Sequence, residues 1–131
     1  MSKLDVFIID DSEINNAITK QIASQHNRIN NISTYTDAIE ALSVMVKADE
    51  NKQKLPDLIL LDIQMPEMNG YEWLDEIDEH FDDPNFVVIF VSGTNYQKDF
   101  ESFEKQRLAK ELLPKPITRE TFDKIITDYF A

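Results

Sequence analysis

The chain has 131 residues, with 25 acidic side chains against 13 basic ones and a net charge of −12. That length suits a single domain over 1–131 with a sizeable core and no output domain, and the charge disfavours direct contact with nucleic acid or an anionic membrane surface. The absence of cysteine excludes disulfides, thiolate metal sites and thiol chemistry. With no apolar stretch of membrane-spanning length and a polar Met1-Ser2-Lys3 start in place of a signal-peptide apolar region, a cytoplasmic protein is expected.

The first element is Val6-Phe7-Ile8-Ile9, which does not alternate with polar residues and reads as a strand buried on both faces, ending at Asp10-Asp11. Ile14, Ala17, Ile18 and Ile22 mark an amphipathic helix that Asp11 or Ser12 can cap. Asn31-Ile32-Ser33-Thr34-Tyr35 is a less apolar strand, suited to a sheet edge. Thr36 or Asp37 then caps a helix whose Ala38, Ala41, Leu42, Met45 and Val46 fall on one stripe, running to about Asn51. Residues 52–56 lead into Leu58-Ile59-Leu60-Leu61, a second apolar strand that ends at Asp62. A loop built on Pro66, Asn69 and Gly70 follows.

Trp73, Leu74, Ile77 and Phe81 form the next helical stripe, closed by Asp82-Asp83-Pro84-Asn85. Val87-Val88-Ile89-Phe90-Val91 is a strand that ends in Ser92-Gly93-Thr94. Residues 95–110 read as a weak, largely exposed helix, since only Phe100, Phe103 and Leu108 are apolar. Glu111-Leu112-Leu113-Pro114 is the last strand and runs into Lys115-Pro116. Thr118 caps a final helix carried by Phe122, Ile125, Ile126, Tyr129 and Phe130. The alternation is (βα)5, which implies a doubly wound α/β fold with a parallel sheet, helices on both faces and right-handed crossovers.

In such a sheet the carboxyl ends of the strands meet at one crevice. Asp10, Asp11 and Asp62 can therefore converge there, joined by the Ser92 hydroxyl and the Lys115 amine. Converging carboxylates repel unless a cation joins them, and hard oxygen donors favour Mg²⁺. Each residue also has a plainer reading. An aspartate after a strand serves as a helix cap or turn former, Ser92 alone is a turn hydroxyl, Lys115 alone a solvated surface amine, and Met65 and Met68 gap-fillers. Gly70 suits a turn that needs no Cβ. His26 and His80 read as surface residues without a partner acid in sequence.

Phe7-Ile8-Ile9-Asp10-Asp11, Leu60-Leu61-Asp62-Ile63-Gln64-Met65-Pro66-Glu67-Met68-Asn69-Gly70, Val91-Ser92-Gly93-Thr94 and Leu113-Pro114-Lys115-Pro116 together resemble the receiver domain of two-component response regulators, of the stand-alone CheY-like kind. The resemblance covers essentially the whole chain. It implies a flavodoxin-like three-layer sandwich with strand order 2-1-3-4-5. It places Asp62 as the phosphoacceptor that becomes an acyl phosphate, with Asp11 holding Mg²⁺ directly, Asp10 through water, and the Gln64 backbone carbonyl as a further ligand. Ser92 would donate to the phosphoryl group and Lys115 would neutralise it. Gly93, where the family more often has alanine, leaves its N–H open to approach, and the Lys115-Pro116 bond is expected to be cis. The implied partners are a histidine kinase or histidine phosphotransfer protein and an unspecified downstream protein, with the chain a monomer or weak dimer. It would be a signalling protein and not an enzyme, apart from Mg²⁺-dependent self-phosphorylation from small donors and slow autodephosphorylation.

One departure stands out. Receiver domains commonly carry Tyr or Phe three residues before the lysine, as a switch that swings inward; here that residue is Leu112. Three alternatives compete with the leading reading, one of them a flavodoxin-like cofactor protein, whose flavin site would want a glycine- or Ser/Thr-rich phosphate loop after the first strand, where this chain puts acids. An aspartate-nucleophile phosphohydrolase needs a second acid two residues after the nucleophile, where this chain has Ser12 after Asp10 and Gln64 after Asp62. A phosphorylation-independent interaction module would ordinarily have lost an acid or the lysine.

Overall fold

The computed structural model describes residues 3–93 and 96–131. Its elements alternate in chain order as β1 (Leu4–Ile9), α1 (Glu13–Ser24), β2 (Ile29–Tyr35), α2 (Ala38–Glu50), β3 (Leu58–Asp62), α3 (Gly70–His80), β4 (Val87–Ser92), α4 (Tyr96–Phe103), β5 (Ala109–Pro114) and α5 (Arg119–Phe130). The five strands form one parallel sheet in the order β2-β1-β3-β4-β5. This is the doubly wound flavodoxin-like architecture the alternation implies, with β2 at an edge.

Because side chains alternate across a strand, the unbroken apolar runs feed two separate cores. Ile9, Ile59, Leu61, Val88 and Phe90 pack with Met45, Trp73 and Ile77 on one face of the sheet. Val6, Ile8, Leu58, Leu60, Ile89 and Val91 pack with Ala23, Phe122, Ile125 and Ile126 on the other. Trp73 is fully buried, and its indole N–H donates to the Ala38 carbonyl at 3.0 Å. A buried aromatic with its polar end satisfied thereby ties α3 to the first turn of α2.

The stripes expected for α2, α3 and α5 face these cores, and Asp37 and Thr118 cap α2 and α5. α3 starts on a reciprocal capping box between Asn69 and Glu72. Two helices differ from the sequence reading. In α1, Ile14 and Ile18 are exposed (73% and 48%), Ala17 is exposed as well, and the buried positions are Asn16 and Ala23. The helix is turned nearly half a revolution from the apolar stripe because the Asn16 amide, and not isoleucine, is needed against the sheet. The fourth helix ends at Phe103 instead of near Lys110; β5 then begins at Ala109, two residues before the expected strand. Both histidines also have a partner acid from a neighbouring helix, with His26 Nε2 3.9 Å from Asp123 and His80 Nε2 3.3 Å from Asp49.

Among the described residues no helix is long and apolar enough to cross a membrane.

Candidate functional site

Parallel strands deliver their carboxyl ends to one rim, and the register sets which residues meet there. Asp62 closes β3 opposite Val91, and Ser92 closes β4 opposite Pro114. The Lys115 N–H donates to the Ser92 carbonyl at 2.8 Å, which continues the β4–β5 pairing by one step and aims the lysine back over the sheet end. The Asp10 N–H donates to the Tyr35 carbonyl at 3.0 Å, fixing the end of β1 against β2.

Asn16 completes that fixation. Its Nδ2 donates to the carbonyls of Asp10 at 2.9 Å and Tyr35 at 3.1 Å, so one buried amide holds the turn that carries both leading acids. Sequence reasoning missed this residue. Its only signal was a pair of adjacent asparagines, poor helix formers, inside a helix next to the acids. α1 is capped by Ser12, whose hydroxyl accepts from Asn15 N–H at 3.2 Å, and not by Asp11. Asp11 is left exposed with its carboxylate uncommitted to the cap.

Carboxylate oxygens of Asp10, Asp11 and Asp62 lie within 4.8 Å of one another, with Asp10 and Asp62 buried. Lys115 Nζ stands 2.9 Å from Asp10 Oδ2 and 3.3 Å from Asp62 Oδ1, bridging the two buried acids. Asp10 Oδ1 also accepts from Ser12 N–H at 2.9 Å, and Asp62 Oδ1 from Gln64 N–H at 3.3 Å. A cavity of about 60 Å³ opens beside these groups, bounded by Asp10, Asn15, Ile18, Asp62, Lys115 and Pro116.

Burial, and then the charge of Asp10, push the Asp62 carboxyl up to about 6, although Lys115 pulls the other way. Burial alone would lower the Lys115 ammonium, but its hydrogen bond to Asp10 and the charges of Asp62 and Asp10 outweigh it and hold the group above the ordinary lysine range. The site is thus an acid-rich crevice with one fixed cation. Three hard oxygen donors at this spacing can hold a divalent metal ion.

Ser92 is fully buried, and its hydroxyl donates to Asp99 Oδ2 at 2.5 Å. Thr94, which completes the expected Ser92-Gly93-Thr94 turn, lies outside the described residues, as do Asn95, Met1 and Ser2. A Cβ at Gly93 would meet nothing within 4 Å. Gly70 owes its identity to close packing and not to turn conformation, since no glycine has positive φ. The Lys115-Pro116 peptide is cis. Leu112 is buried in the core shared with Phe90 and Trp73.

The response regulator receiver domain profile matches residues 6–127. A two-component response regulator from Cytophaga hutchinsonii superposes with a TM-score of 0.87 at 25% identity, covering 97% of each chain. A chain of the CheX-CheY-BeF3-Mg complex from Borrelia burgdorferi gives a TM-score of 0.76 at 28% identity, covering 99% of this chain and 92% of that one. A protein-glutamate methylesterase/protein-glutamine glutaminase from Sulfurimonas denitrificans is 32% identical over 99 residues, 76% of this chain and 26% of that protein. A probable cyclic di-GMP phosphodiesterase from Vibrio cholerae is 34% identical over 99 residues, 76% of this chain and 20% of that protein. The chain therefore corresponds to about a quarter of one of these curated relatives and a fifth of the other, and it belongs to the response regulator receiver domain family, a family of signalling domains.

Proposed function

We propose that the chain accepts a phosphoryl group on Asp62 from a phosphohistidine of a histidine kinase or phosphotransfer protein, and signals by noncovalent contact with a downstream protein or by passing the group on. The observation that carries this reading is the bridge of Lys115 across Asp10 and Asp62 beside the third carboxylate of Asp11. In the transfer, an Asp62 carboxylate oxygen forms the new O–P bond as the N–P bond of the donor breaks, with the electron pair returning to the imidazole. Such a transfer asks mainly for positioning and charge neutralisation, and Lys115 supplies one fixed positive charge at the acceptor.

The donor set fits Mg²⁺, since three carboxylates outnumber the one ammonium and, among the described residues, the group includes no nitrogen or sulfur ligand. Asp10, Asp11, Asp62 and the Gln64 carbonyl would hold it, and bound Mg²⁺ supplies positive charge for the phosphoryl oxygens. Gln64 stands where a phosphohydrolase would place its second acid, which supports a signalling role over an enzymatic one. The acidic, cysteine-free composition supports a cytoplasmic setting.

The test is incubation with Mg²⁺ and acetyl phosphate or phosphoramidate, read by intact mass. One labile phosphoryl group is expected on the wild-type chain and none on Asp62→Asn. An unchanged wild-type mass, or an adduct that persists in Asp62→Asn, would overturn the reading.

A further inference from the structure

α4 buries one residue among those described, and it is a carboxylate: Asp99, 4% exposed. Its Oδ2 accepts the Ser92 hydroxyl at 2.5 Å and its Oδ1 accepts Gln64 Nε2 at 3.4 Å. The Tyr71 hydroxyl donates to its backbone carbonyl at 2.6 Å. None of the ion pairs among the described residues includes Asp99. Phe100 is 41% exposed, and the helix's apolar packing against the core comes from the partly buried Tyr96 and Phe103. Its buried polar attachment to the body of the domain is therefore Asp99, and the shortest of these bonds comes from Ser92.

A serine hydroxyl carries one proton. Ser92 can donate it to Asp99 or to an acceptor at Asp62, and not to both. We propose that Asp99 is a positioning residue that holds the Ser92 hydroxyl in the unphosphorylated protein, so that a phosphoryl group on Asp62 and the docked state of α4 compete for the same proton. The inference rests on the reading of Asp62 as phosphoacceptor. When the phosphoryl oxygens capture Ser92, Asp99 keeps only the longer bond from Gln64, and a buried carboxylate short of donors is costly. The added negative charge acts in the same direction. Relief comes from release of α4 toward water, which gives up the contacts of Asp99 with Tyr71 and Gln64. By linkage, a partner that binds the released helix strengthens phosphoryl uptake by the same factor that phosphorylation strengthens its binding.

The experiment is calorimetric titration of beryllofluoride with Mg²⁺ into four full chains: wild type, Asp99→Asn, Ser92→Ala and the double variant. Asp99→Asn keeps the shape and weakens the acceptor, so it should bind about tenfold more tightly than wild type, the scale of a charge-assisted hydrogen bond replaced by a neutral one. In the Ser92→Ala background the same change should alter affinity less than about twofold, because no hydroxyl is left to compete for. A gain of equal size in both backgrounds would reduce Asp99 to a general electrostatic effect and overturn the latch. Wild-type binding with no gain in Asp99→Asn would overturn the latch alone, whereas a wild-type chain that binds no beryllofluoride would remove the phosphoacceptor reading beneath it. Amide hydrogen exchange of the wild-type chain needs no variant: beryllofluoride should speed exchange across 96–103, and unchanged protection there would count against the proposal.

Discussion

A methyl group on Gly70 would lie 2.9 Å from the backbone carbonyl oxygen of Asp62, and 3.0 Å from both the Ile63 Cα and a ring carbon of Phe90. The start of α3 is thus pressed against the strand end that carries the central carboxylate, and the Gly70 N–H donates to the Ile63 carbonyl at 2.9 Å across that contact. Two of the three obstructing atoms are backbone, which cannot turn aside as a flexible side chain would.

Gly70→Ala is therefore expected to cost about 1–3 kcal/mol, the range for an overpacked site, and to displace Asp62 enough to slow phosphoryl uptake. Gly93→Ala, with open space around the added methyl, should change stability by no more than about 0.5 kcal/mol. Urea unfolding of the two variants side by side checks both. Equal stabilities would show that the α3 start relaxes away from β3 without penalty.

The pH dependence of stability follows from the same carboxylate. Asp62 ionises near 3.8 in an unfolded chain and at about 6 in the fold, raised first by burial and next by Asp10. The metal-free folded state therefore holds this proton to higher pH than the unfolded state. Its contribution is fully present below about 4 and is lost as pH rises through about 6, on the order of 2–3 kcal/mol. Asp62→Asn removes the dependence, so its urea midpoint should exceed that of wild type at pH 7 and approach it near pH 4. Excess Mg²⁺ should recover stability at pH 7 in the wild type more than in the variant. Parallel midpoint curves across that pH range would show that Lys115 fully compensates the buried charge.

How much of this was legible in the sequence depends on what anchors each element. Strand ends could be read because unbroken apolar runs stop at the functional groups themselves: Ile9 before Asp10, Leu61 before Asp62, Val91 before Ser92. α2, α3 and α5 could be read because apolar side chains anchor them. α1 and α4 could be read as helices, but the facing of the first and the end of the second could not, because a hydrophobic period does not register a helix that buries Asn16 or Asp99, held by hydrogen bonds to other elements. The same blindness hid the Ser92 hydroxyl's actual partner. Ser92 was placed correctly at its strand end, but the direction of its proton depends on a helix whose registration was invisible.

Substitution of Asp11 tests the proposed metal holding apart from folding. It is exposed, and the cap of α1 belongs to Ser12. Asp11→Asn should leave metal-free stability unchanged within about 0.5 kcal/mol or slightly raised, since one of three converging negative charges is gone. It should at the same time weaken Mg²⁺ binding and abolish phosphoryl uptake. Ser12→Ala should instead lower stability by about 1 kcal/mol through loss of the cap. Thermal melts in EDTA compare the two, and a clearly lower midpoint for Asp11→Asn would assign Asp11 a structural role.

The output route is tested by where protection changes on loading. Leu112 is buried, pairs with Phe90 in the sheet, and offers its carbonyl to the Tyr96 hydroxyl at 3.4 Å. A leucine in that position has no polar end and no planar ring to swing between two environments, so β5 contributes little movement of its own. Tyr96, the first residue of α4, ties the start of the helix to β5, so the larger response is expected on the helix side of that contact. Beryllofluoride with Mg²⁺ should therefore change amide exchange chiefly across 64–70 and from 92 into α4, with a smaller response over 111–113. Changes centred on 111–113 and α5, with the segment after Ser92 unaffected, would show that Leu112 repacks and transmits the signal along the fifth strand.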